Sequence, residues 1–422
     1  MLGLLGMGVS AALIAFRPLW GVYLILLLSP LQNLEIGSGL LSLSRIAGAG
    51  TILMMLIRFS VRRKHLRLTG IEGPVFLMTL GMSLSFLRTS ELMLVASSIL
   101  SLLSLYALAF LIVNLVENEA QLKGLILLFL ASAIYPAGLA IIQWFQAPSY
   151  GPYYIFRASG TFTKPTALGG LLLAVVLMAF PLAIYPRISR GLRWLIIGMF
   201  GAAVLALILS FTRAAWIGVI MGFGVLLLTP LFRNMSRGLR LSALAVTALV
   251  IGALWAFGPL IDQRLVTPTA DLVTTGTGED SVLSRRYETI AGVRIILDNY
   301  FLGTGIGNYG KAVWKYDLIY NTTLIPVVPH NIIFYFLGQV GIVGAAGFAW
   351  LVAWLYRRVK SHHRHVLGNA GNVTSYVYFG SLACLIGYVS FMIFHSGLFT
   401  NEIWVVIASL IVATRLAETS GQ

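Results

Sequence analysis

Residues 92–115 read LMLVASSILSLLSLYALAFLIVNL, a run without one charged side chain. A helix this long and apolar on every face has no place in a soluble core, and about 20 apolar residues at 1.5 Å each cross the hydrocarbon of a bilayer. Strands of a membrane barrel alternate apolar and polar side chains, which this run does not do. It reads as a transmembrane helix. Comparable segments lie at roughly 1–16, 19–32, 45–58, 73–87, 122–145, 166–186, 193–211, 214–231, 241–260, 330–356, 373–395 and 401–414. The predicted fold is an all-α polytopic membrane protein with about 12 transmembrane helices. Composition agrees: 58% of the 422 residues are hydrophobic and 10% charged, with a mean hydropathy of +0.90. The N-terminal MLGLLGMGVSAALIAF has no basic residue before Arg17, so it is expected to be a retained first span and not a cleaved signal.

The net charge is +15, but the cations come in short clusters between apolar segments. That pattern fits loops beside anionic lipid headgroups and gives no nucleic acid partner. The clusters Arg58, Arg62, Arg63, Lys64 and Arg67; Arg187, Arg190 and Arg193; Arg233, Arg237 and Arg240; and Arg357, Arg358, Lys360 and Arg364 mark cytoplasmic loops. The opposite face then receives 32–44, 87–91, 146–165, the turn at Phe211-Thr212-Arg213, the long 261–329 interval and 395–402. One integrated membrane domain is expected, with N-terminal helices over 1–260, a loop region over 261–329 and C-terminal helices over 330–422. Within that loop region Leu283, Tyr287, Ile290, Val293 and Leu297 recur at helical spacing, which predicts an amphipathic helix at the membrane surface.

All fourteen acidic residues fall in loops, at span ends or in the tail, so the carboxylates that coupled carriers place at mid-membrane are not expected. Asp-x-Asp is absent, and the single cysteine, Cys384, permits no disulfide or Cys-based metal site within the chain. No metal or cofactor is predicted.

His330 follows Pro329 at the start of the 330–356 segment. At the positive end of a helix its imidazole stays neutral and can serve as a general base; the plainer alternative is an interfacial or capping histidine. Arg213 stands in a turn between two apolar helices, able to bind phosphate or to act as a snorkelling anchor. Arg285 and Arg286 offer the same choice. By the helical wheel Arg286 flanks the apolar stripe, and Arg285 lies opposite, beside Glu288. Arg157 and Lys164 stand among aromatic neighbours in the 146–165 loop, suited to sugar or phosphate or simply to the interface. Several cations converging on the face of His330 suit a diphosphate. A flippase or other transporter of lipid-linked glycan would also explain the many spans, but it predicts polar side chains along a membrane path, and these are scarce.

Four runs together resemble the O-antigen ligase and polymerase superfamily of bacterial envelope glycosyltransferases. Residues 157–165 (RASGTFTKP) are similar to R-x-S-G-T-F-x-N-P, and residues 210–216 (SFTRAAW) to S-x-S-R-G-A-W. Ser284-Arg285 with Asn299-Tyr300-Phe301-Leu302-Gly303-Thr304-Gly305 are similar to S-R followed by N-P-L-F-G-x-G, and Pro329-His330-Asn331 is followed by Gly338-Gln339-Val340-Gly341. Lys164, Tyr300 and Gln339 replace the usual Asn, Pro and Glu. The resemblance implies a type C glycosyltransferase-like fold in the bacterial inner membrane, with a large periplasmic loop region and a periplasmic site. It implies metal-independent, inverting transfer of a glycan from undecaprenyl diphosphate to a hydroxyl of lipid A core or another glycan acceptor. His330 would match the base, and Arg213 with Arg285 the residues holding the diphosphate. An O-antigen or exopolysaccharide polymerase of the same superfamily is the alternative.

Overall fold

The computed structural model describes residues 17–31, 43–147, 156–233, 248, 252, 282–316, 329–368, 371–395 and 397–419. The predicted 1–16 span, nearly all of the predicted 241–260 span, and residues 261–281 and 317–328 of the predicted loop region lie outside them. Among the described residues every regular element is helical. In chain order these are α1 (Leu19–Leu28), α2 (Leu43–Val61), α3 (Glu72–Leu84), α4 (Leu92–Leu115), α5 (Glu119–Ser132), α6 (Ile134–Gln146), α7 (Pro165–Ile184), α8 (Arg190–Leu209), α9 (Arg213–Leu228), α10 (Pro230–Arg233), α11 (Val282–Asn299), α12 (Tyr309–Tyr316), a π-helical segment (Phe334–Val340), α13 (Ile342–Gly368), α14 (Val373–Met392) and α15 (Asn401–Thr419). Seven are long and apolar enough to cross a membrane, counting α5 and α6 as one, and α1, α3 and α9 are shorter apolar helices. This is the architecture of a polytopic helical membrane protein.

Two predicted helices are broken, each for a local reason. The 122–145 span bends at Ala133, because Pro136 has no N–H to offer the Ser132 carbonyl one turn earlier. The 330–356 span divides at Gly341, whose φ of +89° and ψ of −179° leave helical geometry altogether.

Side-chain bonds sort the loops onto two ends of the bundle. At one end Lys64 pairs with Glu117 (2.6 Å), Arg67 N–H donates to Asn114 (2.8 Å), Thr374 donates to Glu119 (2.9 Å), and His362 meets Glu418 (2.7 Å). Here also Arg415 donates to the Val113 carbonyl (2.6 Å). The other end gathers Ser29 with Asn401 (2.9 Å), Thr161 with the Pro30 carbonyl, Thr212 with the Pro165 carbonyl (3.1 Å) and Arg88 with Asn299 (3.0 Å). The described basic loops thus share one end, and the loops holding the candidate residues share the other.

Helices α7 and α14 are 83% and 78% buried within the bundle, against 17% for α13, so α7 and α14 form its centre. Lipid tails are as apolar as leucine, so helices associate here through close van der Waals fit and small residues. A Cβ on Gly387 of α14 would stand 2.7 Å from the Gly218 carbonyl oxygen of α9, and one on Gly222 would stand 2.9 Å from that of Ala383. Two large side chains at the centre bond to backbone: Tyr388 donates to the Gly170 carbonyl (2.8 Å) and Trp216 Nε1 to that of Leu207 (2.9 Å).

A second backbone contact joins the end of α11 to the π-helical segment. Thr304 and Gly305 donate their N–H groups to the Gly338 and Gln339 carbonyls (2.9 and 3.0 Å), and Ile342 N–H reaches the Tyr300 carbonyl (2.9 Å). A Cβ on Gly303 would lie 2.4 Å from the Gln339 oxygen, and one on Gly341 2.5 Å from that of Phe301. Only glycines permit this approach.

Gly387→Val is expected to wedge α9 from α14 and to lower the thermal midpoint in detergent, for an overpacking cost of about 1–3 kcal/mol. Gly341→Ala is expected to cost at least ~1–3 kcal/mol through its backbone angles alone. Limited proteolysis should then cut near 299–305, whereas an unchanged pattern would refute the lock.

Candidate active site

The first group of candidate residues is built on the α8–α9 turn. Phe211 takes a left-handed backbone (φ +48°), a strained choice for an aromatic residue. It is held by stacking on Trp144 (5.3 Å between centroids), while Ser210 donates to the Leu207 carbonyl (2.7 Å). The 156–164 loop lies on this turn: Ala158 N–H donates to the Leu209 carbonyl (3.1 Å) and Arg157 Nε to that of Ser210 (3.4 Å). Gln143 clamps the loop from α6, accepting from Gly160 N–H (2.8 Å) and donating to the Gly160 carbonyl (2.8 Å). Gly160 has φ +60°, and a Cβ there would lie 2.5 Å from the Pro136 oxygen.

Residues 157–165 and 210–216, far apart in sequence, are therefore two sides of one junction. Arg213 is the first residue of α9, and Lys164 immediately precedes Pro165, the first of α7. Arg157 and Arg213 are half-buried and Lys164 is exposed. A cation at the positive end of a helix dipole is unfavourable for the helix. Two helix N-termini and three cations at one junction make a field suited to a phosphate-bearing ligand.

The second group surrounds His330. Pro329 is buried and His330 half-buried. Asn331 Oδ1 accepts from Ile333 N–H (2.7 Å) and caps the turn, so the imidazole stands just outside the helix start. The helix that follows is short and π-helical, not the long apolar helix predicted, and π-helical turns are frequent at functional sites. The segment packs on α11: Phe334 ring atoms would stand 2.8 Å from a Cβ on Gly292, and Ala291, Ile295, Tyr309 and Phe334 form a small buried cluster.

That packing corrects the predicted apolar stripe of α11. Val293 and Leu297 are exposed, at 47% and 69%, while Ala291 and Ile295 are buried. The helix forms where it was expected, but it meets the protein through the face of Ala291, Gly292 and Ile295 and leaves Val293 and Leu297 outward. Arg285 and Arg286 lie in α11, and their side chains fall outside the described residues.

The groups are linked at one end of the bundle. Tyr335, in the π-helical segment, packs on Phe399 (5.1 Å), just after the end of α14. There His395 stacks on Phe391 (5.2 Å), whose ring would contact a Cβ on Gly170 of α7 at 3.7 Å. His395, half-buried, thus joins the region between the α7–α9 junction and the His330 segment.

Sequence reading missed Arg88. Its Nε donates to the Gly303 carbonyl (3.3 Å) and its Nη2 to Asn299 (3.0 Å), while Asn308 donates to the Arg88 carbonyl (2.8 Å). Its partners lie more than 200 residues along the chain, and nothing local marks a cation in a five-residue turn as their anchor. Among the described residues no three His, Cys, Asp or Glu side chains stand together to hold a metal ion.

No curated protein matches the chain. A family model described as O-Antigen ligase matches residues 198–349, from within α8 to the first turns of α13. The match includes Arg213, Arg285, Arg286 and His330, and leaves Arg157 and Lys164 outside. Over that stretch, about a third of the 422 residues, the chain is similar to the O-antigen ligase family.

Proposed function

We propose that the protein is a ligase-like glycosyltransferase that moves a glycan from undecaprenyl diphosphate to an acceptor hydroxyl, such as a lipid A core sugar. The observation that carries this reading is the junction of α7 and α9, where Arg157, Lys164 and Arg213 surround two helix N-termini at the same end as His330. In the reaction the cations stabilise charge developing on the diphosphate as the glycosidic bond breaks, and His330 takes the acceptor proton as its oxygen attacks. Attack opposite the leaving diphosphate inverts the anomeric centre. The positive-inside rule puts the basic end in the cytoplasm, so the site opens to the periplasm from the inner membrane. About twelve spans in one membrane domain remain the reading of the whole chain.

Between the two arginines of α11, Arg285 is favoured because it stands at the S-R position of the motif that the sequence resembles.

The test is transfer by purified protein in nanodiscs with EDTA present, using undecaprenyl-diphosphate glycan and lipid A core. His330→Ala is expected to lower turnover by about 10²–10⁴. Arg213→Ala is expected to lower it by ~10²–10³, as is Arg285→Ala, while Arg286→Ala changes it little. Full activity of His330→Ala removes the base assignment. Chain lengthening on the carrier without core attachment makes the protein a polymerase, and movement of intact donor across the bilayer makes it a transporter.

Arg88→Ala is expected to reduce turnover partially, about tenfold, with Arg88→Lys recovering part of it and the donor KM nearly unchanged. Loss confined to KM would instead put Arg88 on the substrate.

A further inference from the structure

A cavity of about 760 Å³ lies between α1, α2, α4 and the start of α15, within the ~300–1,000 Å³ range of small-molecule sites. Because α2, α4 and α15 all begin at the end that carries the candidate active site, residue order gives depth. The shallow part is polar, with Ser29, Ser44, Arg45, Asn401 and Glu402 in its walls. The deep part is hydrocarbon, with Ile52 of α2 and Leu108 and Leu111 of α4. A space polar at the surface and apolar below has the form of an amphiphile.

Among the described residues two charged ones line it. Arg45 stands inside the first turn of α2 and donates from Nη2 to Ser101 Oγ (3.0 Å), in a wall otherwise built of membrane helices. Ionisable groups inside a membrane bundle are costly and mark ligand or ion sites. Glu402 is only 5% exposed. Thr400 bonds to its carboxyl, yet Oε2 has no hydrogen-bond partner. A buried carboxyl oxygen left without a donor is destabilising, and a donor-bearing ligand in the cavity supplies what the protein does not.

We propose that this cavity is a binding site for a membrane phospholipid with an amine headgroup, its phosphate at Arg45, its ammonium at Glu402 and the start of its chains along α2 and α4. A guanidinium recognises phosphate, and an ammonium beside a carboxyl favours the ionised form and satisfies its free oxygen. Among the described residues two aromatics, Phe162 and Phe399, line the cavity, which suits hydrocarbon better than stacked sugar rings. Those two also tie it to the active end: Phe162 belongs to the 156–164 loop, and Phe399 packs on Tyr335. The proposal does not depend on the transfer reaction, and its test does not read transfer.

The experiment is native mass spectrometry of the full chain, delipidated in detergent and titrated separately with phosphatidylethanolamine, phosphatidylglycerol and undecaprenyl phosphate. One tightly bound phosphatidylethanolamine per chain is expected. Arg45→Ala should weaken it about tenfold or more, and Glu402→Gln should weaken phosphatidylethanolamine similarly while leaving phosphatidylglycerol unaffected, since the latter has no ammonium. Gly48→Leu provides a variant that leaves both charged groups in place. Gly48 lines the cavity, and a Cβ there meets only Ile25 Cδ1, at 3.9 Å. It should abolish the bound lipid with the thermal midpoint retained. Unchanged binding in Gly48→Leu overturns the site. Binding of undecaprenyl phosphate in preference to phosphatidylethanolamine, indifferent to Glu402→Gln, overturns the amine headgroup.

Discussion

Inside a bilayer no water is available to a backbone N–H or C=O, so each such group must find its partner within the protein. Helix interiors meet this demand alone, and helix ends do not. In this chain the ends are paired with one another: the close of the π-helical segment gives its carbonyls to Thr304 and Gly305, and the α8–α9 turn gives those of Leu209 and Ser210 to Ala158 and Arg157. The candidate site lies where these exchanges occur, because there the chain leaves helical geometry and brings segments from several helices together.

The glycines follow from the same constraint. Gly303 and Gly341 allow two backbones to meet at hydrogen-bonding distance, and Gly218 and Gly387 allow α9 and α14 to touch at the centre of the bundle. The first contact sets where the His330 segment stands against α11. The second fixes α9, and with it Arg213 at the helix start. Two packing contacts with no chemistry of their own thus position the residues that have it. The cavity beside them differs in kind, since its walls keep Arg45 and Glu402 at the rim of a hydrocarbon space.

Much of this was legible in the chain. Uncharged runs such as 92–115 imply spanning helices whatever their neighbours, because lipid admits little else, and the Lys and Arg clusters sort the loops. The motif runs around Arg157 and Arg213 marked two segments that meet. Local rules failed where geometry depends on a distant partner. Helical periodicity alone made 330–356 one helix, and the interruption at Gly341 depends on backbone from residues 300–303. It likewise gave α11 an apolar stripe through Val293 and Leu297, whereas Phe334 chose the smaller face around Gly292.

Sequence by itself determined that the protein is helical, lies in a membrane, and carries its basic clusters in loops outside the spans, since burying charge or bare backbone in hydrocarbon costs too much to be decided elsewhere. Tertiary structure alone decided that residues 157–165 and 210–216 form one junction, that Arg88 holds a turn more than 200 residues away, and that Glu402 faces a cavity shared with Arg45. Those outcomes depend on which helix faces which, and that is set by the fit of small residues and backbone across the bundle, information that no single segment contains.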